Sequence, residues 1–493
     1  MERGYLATCF GIKMLKLITL IGLILLEAYT TIMSGCSQEN VLKLKVAILR
    51  FDAELGDVRA QCNLGVAYMK GEGIGQDKEA AVKWWRKAAE KGNVTAQFNI
   101  GGCYYNGDGV SRDMKEAVKW FYKAAEQGDV NAQCKLGFAY IKGNGVRQDK
   151  EEAVRWWRKA AEQGNAVSQV CLAVCYSNGD GVKQDHEEAT KWYRKAAEQG
   201  DAMAQSRLGE RYEQGIGVAQ DEVEAMKWYR KAAEQEDASA QFNLAKGYYE
   251  GKGIEKNAAE AIRWFRKAAE HGDTDAQDIL NFWYISAYAT QQVKSNPELT
   301  VMLPILGNQN LLANALGFVS PEMYGHEDPR VALEGSKEIV NVLCGENLEK
   351  YLPNAVRWAR VEAEQGNAIV QATLASCYYF GIGIEKNTVE AVKRYRLAAE
   401  QGYAAAQLCL GICYHKGEGV ARNMEESVRW FRLAAEQGYA VAQFYLGECY
   451  RKGEGVAQDT KEAVEWYRKA ADQGVEDAKK ALKELEGKKV SNP

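Results

Sequence analysis

A glutamine, usually preceded by alanine, returns every 36 residues along this chain and carries a whole pattern with it. The series runs Gln61, Gln97, Gln133, Gln169, Gln205, Gln241 and Gln277, then in a shifted frame Gln371, Gln407 and Gln443. Self-similarity at a period of this size marks an array of stacked short units, not a globule around one pocket. An array has a long surface, so the functional expectation tilts toward binding and away from catalysis.

With Gln61 to Gln241 and Gln371 to Gln443 as anchors, nine full copies align. Leu or Ile stands three after the anchor, Gly or Ala four after, and Tyr seven after, as in Leu136, Gly137 and Tyr140. That spacing is one face of an α-helix. A residue as small as Gly on that face admits a neighbouring helix. Asp or Asn four before the anchor, such as Asp57, Asn93 and Asp129, is a good N-cap.

A glycine pair ends the first helix, as at Gly107 and Gly109. Asp113 with Glu116, or Asp149 with Glu152, then reads as a capping box opening a second helix. Ala117, Trp120, Phe121, Ala124 and Ala125 make an apolar stripe on that helix, opposite a face of Lys, Arg and Glu. Gly92, Gly128, Gly164 and Gly200 fit left-handed C-caps. Each copy is thus a helix–turn–helix hairpin that cannot cover its own rings. Burying one aromatic ring is worth on the order of 4–6 kcal/mol as an upper bound, so the hairpins stack.

The pattern resembles the Sel-one-like repeat family, a tetratricopeptide-like group. The matching residues include Ala132-Gln133, Leu136-Gly137, Tyr140, Gly143, Gly145-Val146, Asp149, Glu152-Ala153, Trp156 and Ala160-Ala161. The resemblance implies an all-α fold: an α/α superhelical solenoid of about nine full 36-residue repeats plus degenerate copies. It also implies an adaptor or scaffold for other proteins and brings no catalytic residues and no cofactor. Some cysteine-rich relatives have been labelled β-lactamases, but Ser-x-x-Lys occurs nowhere here.

The net charge is −4, from 63 basic and 67 acidic residues well mixed, which offers no footprint for nucleic acid. The N-terminus differs in kind. Lys13 and Lys16 precede the apolar run Leu17 to Leu26, and small residues Ser34 and Gly35 precede Cys36. Residues 1–36 therefore read as a signal peptide, with Met14 an alternative start. Met33-Ser34-Gly35-Cys36 also resembles a lipoprotein box, in which Cys36 would carry lipid, although Met33 and Glu27 depart from that pattern. Lipidation, ordinary cleavage and an uncleaved anchor all stay open. Each implies export, to a periplasm or a membrane-anchored lipoprotein if the source is bacterial. Contact with a membrane is expected only through that N-terminal anchor.

Cys103, Cys175, Cys377, Cys413 and Cys449 fall six after the anchor, where other copies have Ala67, Ala139 or Gly247. Cysteine is thus expected as a small packing residue there. Cys171 with Cys175, and Cys409 with Cys413, read the same way and not as metal half-sites. Arg211 breaks the series at this position.

Gln277 and Gln371 are not separated by a multiple of the period, and Pro297, Pro304, Pro321, Pro329 and Pro353 fall between them. Leu280 and Tyr284 keep the frame on one side, and Gly345, Ala355, Trp358, Ala363 and Gly366 on the other. The expected organisation is a first array over 46–290, an irregular insert over 291–333 and a second array over 334–486. A lone second helix over 46–56 opens the stack, and a polar cap helix from Ala478 to Glu486 closes it.

His186, His271, His326 and His415 share no repeat position, and no phosphate loop or His-Glu-x-x-His helix occurs. Turns such as Asn106-Gly107-Asp108-Gly109 supply too few oxygens for calcium. Binding should then use positions that vary from copy to copy. Five and eight after the anchor read Gly102/Tyr105, Phe138/Ile141, Glu210/Glu213, Lys246/Tyr249, Ser376/Tyr379, Ile412/His415 and Glu448/Arg451. Tyr105, Ile141, Glu210, Arg211, Glu213, Tyr249, Tyr379, His415 and Arg451 are the candidate partner-binding residues, suited to other proteins or extended peptides. The expectation is a non-enzymatic exported scaffold at the cell envelope. An envelope structural or glycan-binding protein, or a hydrolase, is the alternative.

Overall fold

The computed structural model describes residues 38–295 and 342–490, with Gly22 and Ile339 besides. Cys36, most of the expected signal peptide and the core of the insert lie outside the described residues. Every regular element among the described residues is a helix, and none is a strand. The protein divides into two compact units, Met1–Asp221 and Glu222–Pro493.

Each full copy is the expected hairpin. In the first unit, helix Val94–Asn106 starts at Asn93, whose side chain accepts from the Ala96 N–H at 2.8 Å. It ends where Gly107 turns left-handed and donates to Cys103 O at 2.7 Å. Helix Met114–Glu126 starts at Asp113, which accepts from the N–H groups of Lys115 and Glu116. Its stripe Trp120, Phe121, Ala124 and Ala125 is buried.

The second glycine of each turn sets the stacking distance. A Cβ on Gly109 would lie 2.3 Å from the Lys78 carbonyl oxygen of the preceding copy, so only glycine lets the turn rest on that helix start. Above this contact Lys123 sits 4.2 Å from the Trp120 ring, and Lys159 repeats the arrangement on Trp156.

The recurring glutamine is a buried fastener. Gln133 donates through Nε2 to Ala125 O at 3.2 Å and accepts at Oε1 from Gln163 Nε2 at 2.8 Å. Gln97 with Gln127 and Gln169 with Gln199 do the same. One side chain thereby links the end of the preceding hairpin, its own first helix and the end of its own second helix. The tyrosine seven after the anchor is half-buried, and in most copies its hydroxyl accepts from an arginine, as Tyr176 does from Arg158 at 2.8 Å.

The ends run longer than expected. The opening helix is Gln38–Leu55, beginning eight residues before the expected start at 46 and seating Val46 and Ala53 in the core. The closing helix is Glu476–Val490, anchored by Ala478.

In the second unit, helix Thr274–Ser295 continues past the expected boundary at 290. Tyr284 stacks on Tyr351 at 4.2 Å, and Arg266 pairs with both Tyr284 (3.0 Å) and Glu346 (2.7 Å). This cluster joins residues on either side of the insert. Pro353, expected to disturb stacking, sits in the first turn of helix Leu352–Glu364, where a missing N–H leaves no bond unmade.

Candidate partner-binding surface

Framework positions have structural partners, so a recognition surface must come from the side chains that vary. In the first unit those five and eight after the anchor stay at least partly exposed. Tyr105 is 40% exposed, with the Lys135 ammonium 5.7 Å from its ring centre. Ile141 is half-exposed, beside Phe138, whose ring meets Trp157 edge-on at 5.3 Å. Glu210 and Glu213 are half-exposed, and Glu210 receives both oxygens' bonds from Arg207, at 3.1 and 2.8 Å.

The second unit repeats this exposure only in part, at Lys246, His415, Glu448 and Arg451, and two of the expected residues are corrected. Tyr249 is 4% exposed, because Trp283 occupies the slot that holds Ala, Cys, Gly or Arg in other copies and lies 5.8 Å from it. Tyr379 is 5% exposed and donates its hydroxyl to Glu418. Its pKa is pushed up by burial first and by that carboxylate second. Ser376 and Ile412, at the companion position, are buried as well. His415 faces Glu454 at 3.5 Å. Arg451 is held by Glu448 through Nε (3.0 Å) and Nη2 (2.6 Å), a clamp that leaves it a structural ion pair.

Arg211 is also buried, at 8% exposure. Its Nη1 donates to His186 O (3.3 Å), Thr190 Oγ1 (3.2 Å) and Ile216 O (3.5 Å), and its Nη2 donates to Ser177 Oγ. The guanidinium lies 5.0 Å from the Tyr193 ring centre. Burial lowers its pKa. A cavity of about 290 Å³ opens beside it, lined by Ser177, Tyr193, Arg207, Glu210 and Arg211 among others.

Ser177 and Thr190 escaped the sequence reading. Part of the signal was available: Thr190 replaces Val82, Val118 and Val154, whereas Ser177 stands at a variable position that also holds Glu213, His415 and Arg451. Two polar substitutions at apolar or small positions, Arg211 and Thr190, converge with Ser177 on one point.

The described cysteines are all free thiols, mostly buried. Burial pushes Cys103, Cys171 and Cys377 up to about 12, so they pack as small apolar groups. Among the described residues no group of three His, Cys, Asp or Glu could hold a metal ion.

Nine segments match the family model described as the Sel1 repeat: 58–93, 94–129, 130–165, 166–201, 202–237, 238–273, 369–403, 404–439 and 440–475. Among solved structures, a protective antigen present in uropathogenic Escherichia coli strains and displaying an SLR fold is 33% identical; the match covers 90% of this protein and 90% of that one, with a TM-score of 0.64. A Sel1 repeat protein from Oxalobacter formigenes is 37% identical over 44% of this protein and 89% of its own length, with a TM-score of 0.40. No curated protein matches the sequence.

Proposed function

The chain belongs to the Sel1 repeat family, and from that premise we propose that it is an exported, non-enzymatic scaffold that gathers protein partners at the cell envelope. Sel1 repeat proteins generally mediate protein–protein interactions, and the family is generally non-catalytic. One observation carries the reading for this protein. Along the first unit the framework positions repeat and are engaged, while Tyr105, Ile141, Glu210 and Glu213 vary and reach solvent. Such a strip mixes aromatic anchors with charge, as protein-binding surfaces do.

Export rests on the basic, apolar, small-residue order before Cys36. Mass spectrometry of the mature N-terminus tests this part: a lipid on Cys36 or a new N-terminus near it supports export, and an intact Met1 counts against cleavage.

Binding is tested with a photo-reactive amino acid at Tyr105 or Ile141, and at Lys119 as an exposed control on a second helix. Partner adducts from the first two positions and few from the third are expected. Equal labelling at all three would remove the proposed face.

A further inference from the structure

We propose that the cavity beside Arg211 is a subsite for a carboxylate, supplied by a polypeptide that the scaffold binds. The inference rests on the scaffold reading for its partner, but its chemistry stands on the site alone.

Arg211 carries a full positive charge into the interior, and every acceptor bonded to it is neutral: two backbone carbonyls and two hydroxyls. No carboxylate among the described residues forms an ion pair with it. The nearby Glu210 is already held at both oxygens by Arg207. A buried cation bonded only to neutral acceptors is costly to keep, even with the Glu210 carboxylate acting on it from nearby. It is retained here together with Ser177 and Thr190, which suit it.

Ser177 and Thr190 are oriented to serve the guanidinium. Ser177 Oγ donates to Ala173 O at 2.8 Å, and Thr190 Oγ1 donates to His186 O at 2.8 Å. Each hydroxyl thereby presents its lone pairs to Arg211. The side chain is fixed in place without being neutralised, as a preorganised recognition site requires.

The cavity sets the ligand class. Among the lining residues Arg207 is bonded to Glu210, while Arg211 meets only neutral acceptors and offers its guanidinium to a singly charged anion. A guanidinium matches the planar, two-oxygen geometry of a carboxylate. A volume of about 290 Å³ accommodates that group with the residue bearing it. Two sources share this chemistry: the C-terminus of a polypeptide, or the side-chain carboxylate of an Asp or Glu.

The test is saturation-transfer NMR on the full-length protein with three probes: N-acetylglycylglycine, its C-terminal amide, and N-acetylglutamic acid α-amide, whose one free carboxylate is on the side chain. Binding of either acid in the millimolar range is expected, with the neutral amide at least about tenfold weaker, a difference of about 1.4 kcal/mol. Tighter binding of the first acid assigns the source to a polypeptide end, and tighter binding of the glutamyl probe to a side chain.

Arg211→Ala should weaken either acid at least about tenfold. The framework accepts this change, because Ala67 and Ala139 stand at the same step in other copies. A thermal melt checks folding, and Arg211→Lys, which keeps the charge and loses the fork, should bind at an intermediate level. Acid and amide binding alike, an Arg211→Ala variant that binds as the native protein does, sulfate competing as well as the acids, or no acid binding at all would each overturn the proposal. Photo-adducts lost at Tyr105 with acid binding retained would sink the scaffold face and leave this subsite standing.

Discussion

Lys91 stands thirty residues after Gln61 and does not bond to it; its Nζ donates to Gly56 O at 2.8 Å. Gln61 Oε1 is left buried with no hydrogen-bond partner. In the last copy Gln473 makes both contacts, to Gln443 Oε1 at 2.9 Å and Gly438 O at 3.1 Å. Lys91→Gln should therefore restore the missing bond and keep the other. A gain of about 1 kcal/mol is expected, read as a higher thermal midpoint. An unchanged or lowered midpoint would refute the fastener role of the glutamine pair.

Two helical glycines predict opposite signs. A Cβ on Gly137 would fall 2.3 Å from Trp157 Nε1, whereas one on Gly102 meets nothing within 4 Å. Gly137→Ala should destabilise by roughly 1–2 kcal/mol, overpacking outweighing the gain in helix propensity. Gly102→Ala should stabilise by about 0.5–1 kcal/mol. Denaturant titration of both variants checks this, and a shared sign would contradict the packing account.

Glu236 is the one non-glycine with positive φ among the described residues, at 66°. Gly92, Gly128, Gly164 and Gly200 hold the same step at 86° or more. Left-handed backbone costs an L-residue roughly 1–2 kcal/mol, part of which glycine returns through its freer unfolded state. Glu236→Gly should stabilise by about 0.5–1 kcal/mol in a melt or denaturant titration. A loss of stability would mean that the glutamate side chain matters more than its backbone.

Glu448 makes stability depend on acid. Burial alone would raise its pKa, but hydrogen bonds from Arg451, Tyr467 and Lys452 outweigh burial and hold it down to about 2. A depressed carboxylate contributes stability above its ordinary pKa and loses it as pH falls through the folded value. The contribution should be complete above about pH 5 and vanish toward pH 2. Glu448→Gln should cost on the order of 1–2 kcal/mol at pH 6, the gap should shrink steadily below about pH 4.5, and native and variant should converge only below about pH 2. Parallel stability curves across that range would exclude the mechanism.

Much of the hairpin was legible because its signals are local. Asn93, Asp113, Gly107 and the stripe from Ala117 to Ala125 lie within a few turns of the groups they cap or cover. The glutamine's work was not legible. Its partners stand eight residues before it and thirty after, as for Gln133 with Ala125 and Gln163. Arg211 was visible as an irregularity, but its fit with Ser177 and Thr190 spans 34 and 21 residues.

The amino-acid order by itself determined the period, the helix pairs and the caps, since each follows from backbone geometry and neighbours close in sequence. Tertiary structure alone decided which of the varying side chains face water. Tyr105 and Tyr249 hold the same position in their copies, yet one is 40% exposed and the other 4%. The difference comes from Trp283 packing against Tyr249. Exposure is a property of what arrives from elsewhere in the fold, and no position in a repeat carries that information alone.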